Sequence, residues 1–200
     1  MHPEERQEIK KQRMKNYFLE AAIAAVKNEG ADHLTVRKVA DAAGYSYATI
    51  YNYFKDLNAL LWETRQLMIQ ELIEAVKSKM SAPVKDKEDI KKVFKHYMGY
   101  FFEHPEVFRF FYFYPLAKPE VESHDASEDQ NNDPDFTSMW SETFGAFVEN
   151  GILRPEDIEV VAKLMIYSVQ GLLTLRFSSA GDMTEDQAYQ DLEKIVDHLL

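Results

Sequence analysis

Apolar residues recur at intervals of three and four along most of the chain, the spacing that places side chains on one face of an α-helix. The first such stripe predicts a helix over residues 9–26. Thr35 and Ser46 are placed to cap two shorter helices, because a short hydroxyl side chain accepts hydrogen bonds from the free amides of a first turn. Only two residues separate these helices, the first of them Gly44, so the helices are expected to cross sharply.

Helical stripes continue through the rest of the chain, at residues 57–80, 90–102, 134–149, 155–179 and 184–200. Residues 107–116 differ, since eight of the ten are aromatic or aliphatic, and we expect this segment to be buried nearly all round. Residues 117–135 carry seven acidic side chains and one lysine, a composition typical of a mobile loop. No alternating strand pattern is visible, so the sequence predicts an all-α fold of about nine helices.

The segment from Leu34 to Phe54 has the layout of a helix-turn-helix, in which one helix braces a second that enters the major groove of DNA. Small residues allow the two helices to approach, and Ile50 and Phe54 are expected to face inward, one turn apart. The outward face would then carry Tyr47, Ala48, Thr49, Tyr51 and either Asn52 or Tyr53.

Charge is distributed unevenly along a chain of 200 residues and net charge −11. Residues 1–62 hold nine basic and eight acidic side chains, whereas residues 63–200 hold 14 basic and 26 acidic ones. Arg6, Lys10 and Arg13 follow one helical face near the N-terminus, with Lys11 and Lys15 beside them, and could bind the DNA backbone. Taken alone, the same cluster could be a solvated helix start, because acidic residues intervene.

Several classes of site find no support in the sequence. The chain has no cysteine, and its six histidines lack metal-ligand spacing, so we expect no metal and no cofactor. Neither a glycine-rich phosphate loop nor a nucleophile motif is present, and no catalytic residue is assigned. No secretion signal is apparent and no stretch approaches the roughly 18 apolar residues of a membrane span, so the expected location is the cytoplasm, away from membranes.

The run LTVRKVADAAGYSYATIYNYFKDLNALL resembles the TetR family of bacterial transcription regulators, and the likeness extends over about residues 9–62. The resemblance implies a helical homodimer that binds a palindromic double-stranded DNA operator and releases it when a small molecule enters the C-terminal domain. It also implies that the positions which commonly touch DNA are here Thr35, Arg37, Tyr47, Thr49, Tyr51 and Tyr53. Two positions depart from the family pattern: Ala48 replaces a glycine or proline, and Leu57 replaces a lysine, which leaves Lys55 as the nearby cation.

We therefore expect a helix-turn-helix DNA-binding domain over residues 1–56 and a larger helical ligand-binding and dimerisation domain over residues 57–200. The full set of expected DNA-binding residues is Thr35, Arg37, Ser46, Tyr47, Ala48, Thr49, Tyr51, Tyr53, Lys55 and Lys10. The stripes of the last two helices exceed what one small domain buries, which indicates a homodimer joined as a four-helix bundle. The expected interface residues are Met165, Val169, Leu172, Leu192, Ile195 and Leu199.

Aromatic residues are in excess beyond residue 90. Each is first of all a candidate for the core, but their number favours a cavity for a small hydrophobic or aromatic effector. The candidate ligand-binding residues are Phe94, Tyr97, Phe101, Phe111, Trp140, Phe144 and Tyr167, with His96 and Arg109 as candidate polar groups.

Two functions from different classes follow from this pattern. The first is a ligand-responsive transcriptional regulator, in the family's usual role of a repressor. The alternative is a helical carrier or enzyme for an apolar small molecule that does not bind DNA, with the N-terminal helices as scaffold. An enzyme would need paired catalytic groups, which the sequence does not supply.

Overall fold

The computed structural model describes residues 2–80, 82–118, 144–145, 147–149, 151–178 and 183–200. These residues form helices joined by turns, with no strand among them, and the expected all-α fold is confirmed. The α-helices are α1 (Pro3–Glu29), α2 (Val36–Ala42), α3 (Tyr47–Ile50), α4 (Leu57–Ser78), α5 (Lys87–Glu103), α6 (Pro105–Tyr112), α7 (Ile158–Phe177) and α8 (Glu185–Leu199). A 3-10 turn, Pro155–Asp157, leads into α7.

The chain divides into two compact units. The first comprises the described residues within Met1–Gln70 and His104–Ser127, and the second those within Glu71–Glu103 and Glu128–Leu200. The chain passes from the first unit to the second inside α4, and it returns to the first unit at the junction of α5 and α6.

Helix α1 is the central element of the first unit, packing against α2 and α6, while α2 packs against α3. Its start at Pro3 lies six residues ahead of the predicted one. The first turns have no apolar stripe; instead, Pro3 occupies the first helical position and the backbone N–H of His2 donates to the Glu5 carboxylate at 2.9 Å. Capping therefore extends the helix beyond the part that packing stabilises.

Helix α6 is buried on one side only, and the expectation of burial all round was wrong. Val107, Phe108, Phe110 and Phe111 are buried, whereas Arg109 is exposed and pairs with Glu106 on the preceding turn at 3.1 Å. The physical reason is that α6 lies on the surface of the first unit, where its charged side remains in water.

The second unit is built from α5, α7 and α8, which pack against one another. The Phe102 ring contacts the rings of Phe177 and Tyr189, with centroids 6.1 and 5.3 Å apart. Thr184 caps α8 as predicted, since its hydroxyl accepts from the Gln187 N–H at 3.2 Å and its own N–H donates to the Gln187 side chain at 2.8 Å.

Part of the predicted pattern lies outside the described residues, including the segment 119–143 and with it Trp140. The described residues within 144–149 are helical, in agreement with the predicted helix over 134–149.

The segment Pro155–Phe177 is long and apolar enough to cross a membrane, by length and composition alone. Its most apolar window has a mean hydropathy of 1.5, and 22% of that window is buried. The expectation of no membrane span considered uninterrupted apolar stretches. The mean hydropathy of a window can be high even where polar residues lie between the apolar ones, and Pro155–Phe177 is such a segment.

Candidate nucleic-acid interface

Hydroxyl caps set the start of both helices of the helix-turn-helix, as the sequence predicted. The Thr35 side chain accepts from the Lys38 N–H at 3.2 Å, and the Ser46 side chain accepts from the Thr49 N–H at 3.3 Å. Each bond satisfies one of the amides that the first turn of a helix leaves free. Both caps are exposed, so the two helix starts lie at the surface.

The turn between α2 and α3 depends on Gly44, whose φ of +79° lies in the region that side chains other than glycine rarely adopt. The Tyr45 N–H then donates to the Ala40 carbonyl at 2.9 Å, and the Tyr45 ring meets the Phe18 ring edge-on at 5.6 Å. Val39 and Ala40 are fully buried. These contacts fix α2 and α3 against α1.

Helix α3 ends at Ile50, whereas the sequence predicts a helix that is capped by Ser46 and runs to about Phe54. The chain continues as tight turns, in which the N–H groups of Tyr53 and Phe54 both donate to the Ile50 carbonyl at 3.0 Å. Ile50 and Phe54 are buried, as their one-turn spacing predicted. The inward residues of the segment are therefore in the expected places although its regular helix is only four residues long.

The outward face carries two exposed tyrosines, Tyr47 at 59% and Tyr51 at 51%. Their rings are nearly perpendicular, with centroids 6.4 Å apart, and thus form one aromatic surface. Around them, Thr35, Arg37, Ser46, Ala48 and Lys55 are exposed and Thr49 is partly exposed. The structure brings these predicted DNA-binding residues to the surface of one helix-turn-helix.

Tyr53 belongs mainly to the packing of the unit. It is half-buried, and its ring lies 5.6 Å from the Phe18 ring. Phe18 thus contacts Tyr45 in the turn and Tyr53 after α3, and it is completely buried. Of the three outward tyrosines considered from the sequence, Tyr53 is the one with a clear structural role.

The cations near this face differ in their availability. The Arg37 side chain is 82% exposed and lies 3.8 Å from the Asp41 carboxylate, a long contact on the same helix. Lys10, with Arg6 and Arg13, is exposed on α1. Lys15 is different, since it pairs with Glu63 at 2.6 Å and sits over the Phe54 ring at 5.5 Å, which corrects its grouping with the exposed cluster.

Sequence reasoning missed two polar residues that tie α6 and the segment after it to α4. Arg65 is buried and donates to the Phe111 carbonyl at 3.1 Å. The Asn58 side chain exchanges two hydrogen bonds with the backbone of Ala117, at 2.7 and 3.0 Å. The one available signal was a charged residue inside the apolar stripe of α4, which predicts a buried partner but does not identify it.

The candidate ligand residues that the structure describes are distributed over both units. Phe94, Tyr97, Phe101 and Phe144 are buried in the second unit, where the Tyr97 and Phe101 rings lie 5.0 Å apart. Phe111 is buried in the first unit. Tyr167 is 63% exposed on α7, so the structure contradicts its expected place among buried aromatics. Half-burial and the positive charge of Lys79 lower the pKa of His96, and Arg109 is exposed.

The expected dimer residues are mostly part of the protomer core, and this expectation needs correction. Met165, Val169, Leu172 and Leu192 are buried inside the second unit because the inward stripes of α7 and α8 meet α5 and each other. Ile195 and Leu199 are partly exposed. The apolar residues that α7 leaves exposed are Val160, Leu164, Tyr167 and Leu175.

Comparison with known proteins identifies the class of the helix-turn-helix. Residues 18–64 match the family model of bacterial regulatory proteins of the TetR family, and the resemblance found in the sequence is confirmed. This chain therefore carries the N-terminal helix-turn-helix of the TetR family.

Among sequence relatives, the HTH-type transcriptional regulator BetI of Serratia proteamaculans is 40% identical over 65 residues, and BetI of Yersinia pestis is 38% identical over 65 residues. Each match covers 32% of this chain and 33% of the relative, so the chain matches about a third of the length of these relatives.

Solved structures resemble the whole fold. A putative transcriptional regulator from Pseudomonas aeruginosa has a TM-score of 0.67 at 20% identity, covering 100% of this chain and 92% of that one. A TetR family transcription regulator from Marinobacter aquaeolei has a TM-score of 0.60 at 21% identity, covering 96% and 97%. The relatives and neighbours named here are described as transcriptional regulators.

Proposed function

We propose that this chain is a cytoplasmic, ligand-responsive transcriptional regulator that binds a palindromic operator as a homodimer. The observation that carries the proposal is the face around Arg37, Tyr47 and Tyr51, which is exposed while the residues behind it are buried. Side chains that extend into water from a helix held by a second helix can enter the major groove of DNA. The match to TetR regulators supports this role for them.

Binding to DNA would combine two kinds of contact. Tyr47, Ala48, Thr49 and Tyr51 would approach base edges, whereas Thr35, Arg37, Ser46, Lys55 and Lys10 would contact phosphates. Phosphate contacts set the position of a protein on the duplex and base contacts select the sequence. Tyr53 would act mainly by holding the segment against Phe18.

The proposed dimer uses the outer face of α7 rather than its buried stripe. Val160, Leu164, Tyr167 and Leu175 fall on one side of the helix, and Gly171 lies between them with open space around its α-carbon. Next to this face, Leu164, Ser168, Ile195, His198, Leu199 and Lys194 line a groove of about 310 Å³ between α7 and α8. A second copy of α7 and α8 would cover both features and complete a four-helix bundle.

The same dimer accounts for the apolar character of α7. A membrane-spanning helix is apolar around its whole circumference, but α7 carries the exposed pair Glu159 and Lys163 beside its apolar face. A stripe on one side of a helix favours a protein partner.

An effector would act on the second unit. The buried aromatic residues Phe94, Tyr97, Phe101 and Phe144 support an apolar or aromatic ligand there. Because the chain passes between the units within α4 and again at His104, the second unit, one arrangement of which a ligand would favour, is covalently linked to the DNA-binding helices through these segments. Two recognition helices must lie about 34 to 36 Å apart to enter successive major grooves, so a change in that spacing would release the operator.

The test begins with capture of genomic fragments by the full-length chain, followed by sequencing and by titration of the enriched duplex. Enrichment of palindromic fragments, with release by hydrophobic compounds that quench the fluorescence of a Trp62→Phe variant, is the expected result. Binding or turnover of such compounds by a chain without affinity for DNA would favour the carrier or enzyme instead.

A further inference from the structure

The segment from Ser46 to Tyr53, which carries the exposed face proposed to enter the major groove, lacks the charged side chains that usually contact bases. From Ser46 to Tyr53 the chain contains no arginine, lysine, glutamine or acidic residue. Its side chains are three tyrosines, an alanine, a serine, a threonine, the buried Ile50 and Asn52. The most common contact to guanine, a two-pronged bond from arginine or lysine to O6 and N7, therefore has no donor on this segment.

The two small hydroxyl groups of this face are hydrogen-bonded to each other. The Ser46 and Thr49 hydroxyl oxygens lie 2.9 Å apart, and the Ser46 oxygen also accepts from the Thr49 backbone. Because one of these hydroxyls donates to the other, only one O–H of the pair is left to donate to a ligand. The methyl groups of Ala48 and Thr49 therefore make up a large part of what this face offers. The exposed rings of Tyr47 and Tyr51, held nearly perpendicular to each other, add aromatic surface on the same face.

Apolar surface distinguishes base pairs in the major groove in one way. Thymine presents a C5 methyl group there, whereas cytosine, adenine and guanine present only hydrogen-bonding groups and C–H edges. Asn52 is exposed at the end of the segment, and asparagine is the side chain that pairs in a two-pronged manner with N6 and N7 of adenine. The apolar groups and Asn52 thus both favour A·T pairs.

We propose that the face formed by Tyr47, Ala48, Thr49 and Tyr51 recognises thymine methyl groups, so that each operator half-site presents A·T pairs to it. This inference rests on the proposed function, because it assumes that the segment enters the major groove. It assigns the selectivity to burial of methyl groups against rings and small side chains. Arg37 and Lys55, which lie outside the segment, would supply contacts that are independent of sequence.

The test replaces thymine by deoxyuridine, which removes the methyl group and leaves the base pairing unchanged. The full-length protein first selects its half-site from a random duplex pool, and each thymine of that half-site is then replaced singly. Burial of one methyl group is worth about fourfold in affinity. We therefore expect the dissociation constant to rise about fourfold at one or more half-site positions, and 5-methylcytosine to be bound more tightly than cytosine there.

Protein variants assign the effect to the tyrosines. Tyr47→Phe and Tyr51→Phe keep the rings and should keep the ratio of thymine to uracil affinity. At least one of Tyr47→Ala and Tyr51→Ala should bring this ratio close to 1, so that thymine and uracil are bound equally well. Tyr17→Ala is the matched control, because Tyr17 is a similarly exposed tyrosine, at 53%, on α1. Its ratio should equal that of the unmodified protein.

Two failures are distinguishable. A selected half-site that binds equally well with uracil at every thymine position, or one that consists of G·C pairs, would overturn the inference and leave the proposed function intact. A protein that retains no duplex even at low salt would overturn both.

Discussion

Arg37 and Tyr47 are exposed side chains on the two helices of the helix-turn-helix. We expect Arg37→Ala and Tyr47→Ala each to weaken operator binding by about 1 to 3 kcal/mol, because each removes a contact to DNA. Since neither side chain is buried, the melting temperature should hardly change. Titration of a labelled duplex, with thermal unfolding of the same samples, measures both quantities.

Tyr53→Ala is the informative control for these variants, because the Tyr53 ring packs on Phe18. It should lower the melting temperature as well as the affinity. A parallel loss of melting temperature in Arg37→Ala or Tyr47→Ala would show that those residues are structural.

Gly30 ends α1 with φ 79° and ψ 169°, a combination that is essentially restricted to glycine. We expect Gly30→Ala to reduce the free energy of unfolding by about 1 to 3 kcal/mol, chiefly through this backbone strain. An added Cβ would also lie 2.8 Å from a carboxylate oxygen of Glu106, which can rotate away at the expense of its pair with Arg109.

Gly145→Ala is the same substitution at a helical position with open space around it, outside the proposed dimer face, and it should be neutral or slightly stabilising. Urea unfolding of both variants checks the contrast. Equal effects at the two positions would argue against strain at Gly30.

At the scale of elements, a charged cluster joins α5 to α8. The Lys91 ammonium lies 2.7 Å from both Glu88 and Asp197, and Lys95 pairs with Glu193. The hydrogen bond from Lys91 holds the pKa of Asp197 below its ordinary value of 3.8. A carboxyl group whose pKa is lowered by folding stabilises the folded state at pH values above its ordinary pKa. This stabilisation is lost as the pH falls through the lower pKa of the folded state.

We therefore expect the free energy of unfolding of Lys91→Met to fall less steeply below pH 3.8 than that of the unmodified protein. The reason is that the pKa of Asp197 then lies nearer its ordinary value. Urea unfolding at a series of acidic pH values measures the effect. Lys194→Met removes an exposed pair to Asp191 within α8 and should leave the pH dependence close to that of the unmodified protein. If the free energy of unfolding of Lys91→Met falls at acidic pH as steeply as that of the unmodified protein, the cluster does not stabilise the fold through Asp197.

The exposed first turns of α1 carry Arg6, Lys10 and Arg13 on one face. If Lys10 contacts a phosphate, Lys10→Ala should reduce the slope of log affinity against log salt concentration by about 0.9, the value for one contact on duplex DNA. Titrations over a series of salt concentrations give the slope.

Lys15→Ala should leave this slope unchanged, since Lys15 is committed to Glu63. If the slope measured for Lys10→Ala equals that of the unmodified protein, Lys10 does not contact a phosphate.

At the scale of the whole molecule, the proposed dimer depends on the outer face of α7. Leu164→Glu and Tyr167→Glu place a charge on an exposed apolar face and should produce folded monomers. Leu192→Glu buries a charge in the core of the second unit and should instead unfold the protein. Sedimentation with circular dichroism separates the two results.

An unmodified protein that sediments as a monomer at micromolar concentration would refute the dimer. Persistence of the dimer in Leu164→Glu and Tyr167→Glu would place the interface elsewhere. Association of the unmodified chain with lipid vesicles would favour a membrane role for α7.

The sequence by itself determined those features that depend on neighbours along the chain. Helix positions follow from stripes of apolar residues, and the caps at Thr35, Ser46 and Thr184 follow from local hydrogen bonding, so each was predictable. The turn at Gly44 and the inward positions of Ile50 and Phe54 are equally local. The ordered motif from Leu34 to Phe54 identified the family of the helix-turn-helix for the same reason.

Only the tertiary structure decided which apolar face meets which neighbour. Met165, Val169, Leu172 and Leu192 have the same hydrophobic character as residues of an interface, and packing within the unit decided that they are core. Tyr53 and Lys15 were likewise assigned by distant partners, Phe18 and Glu63. Hydrophobic free energy is non-directional, so a stripe specifies that a face is covered, whereas the identity of the covering element depends on contacts far apart in the chain.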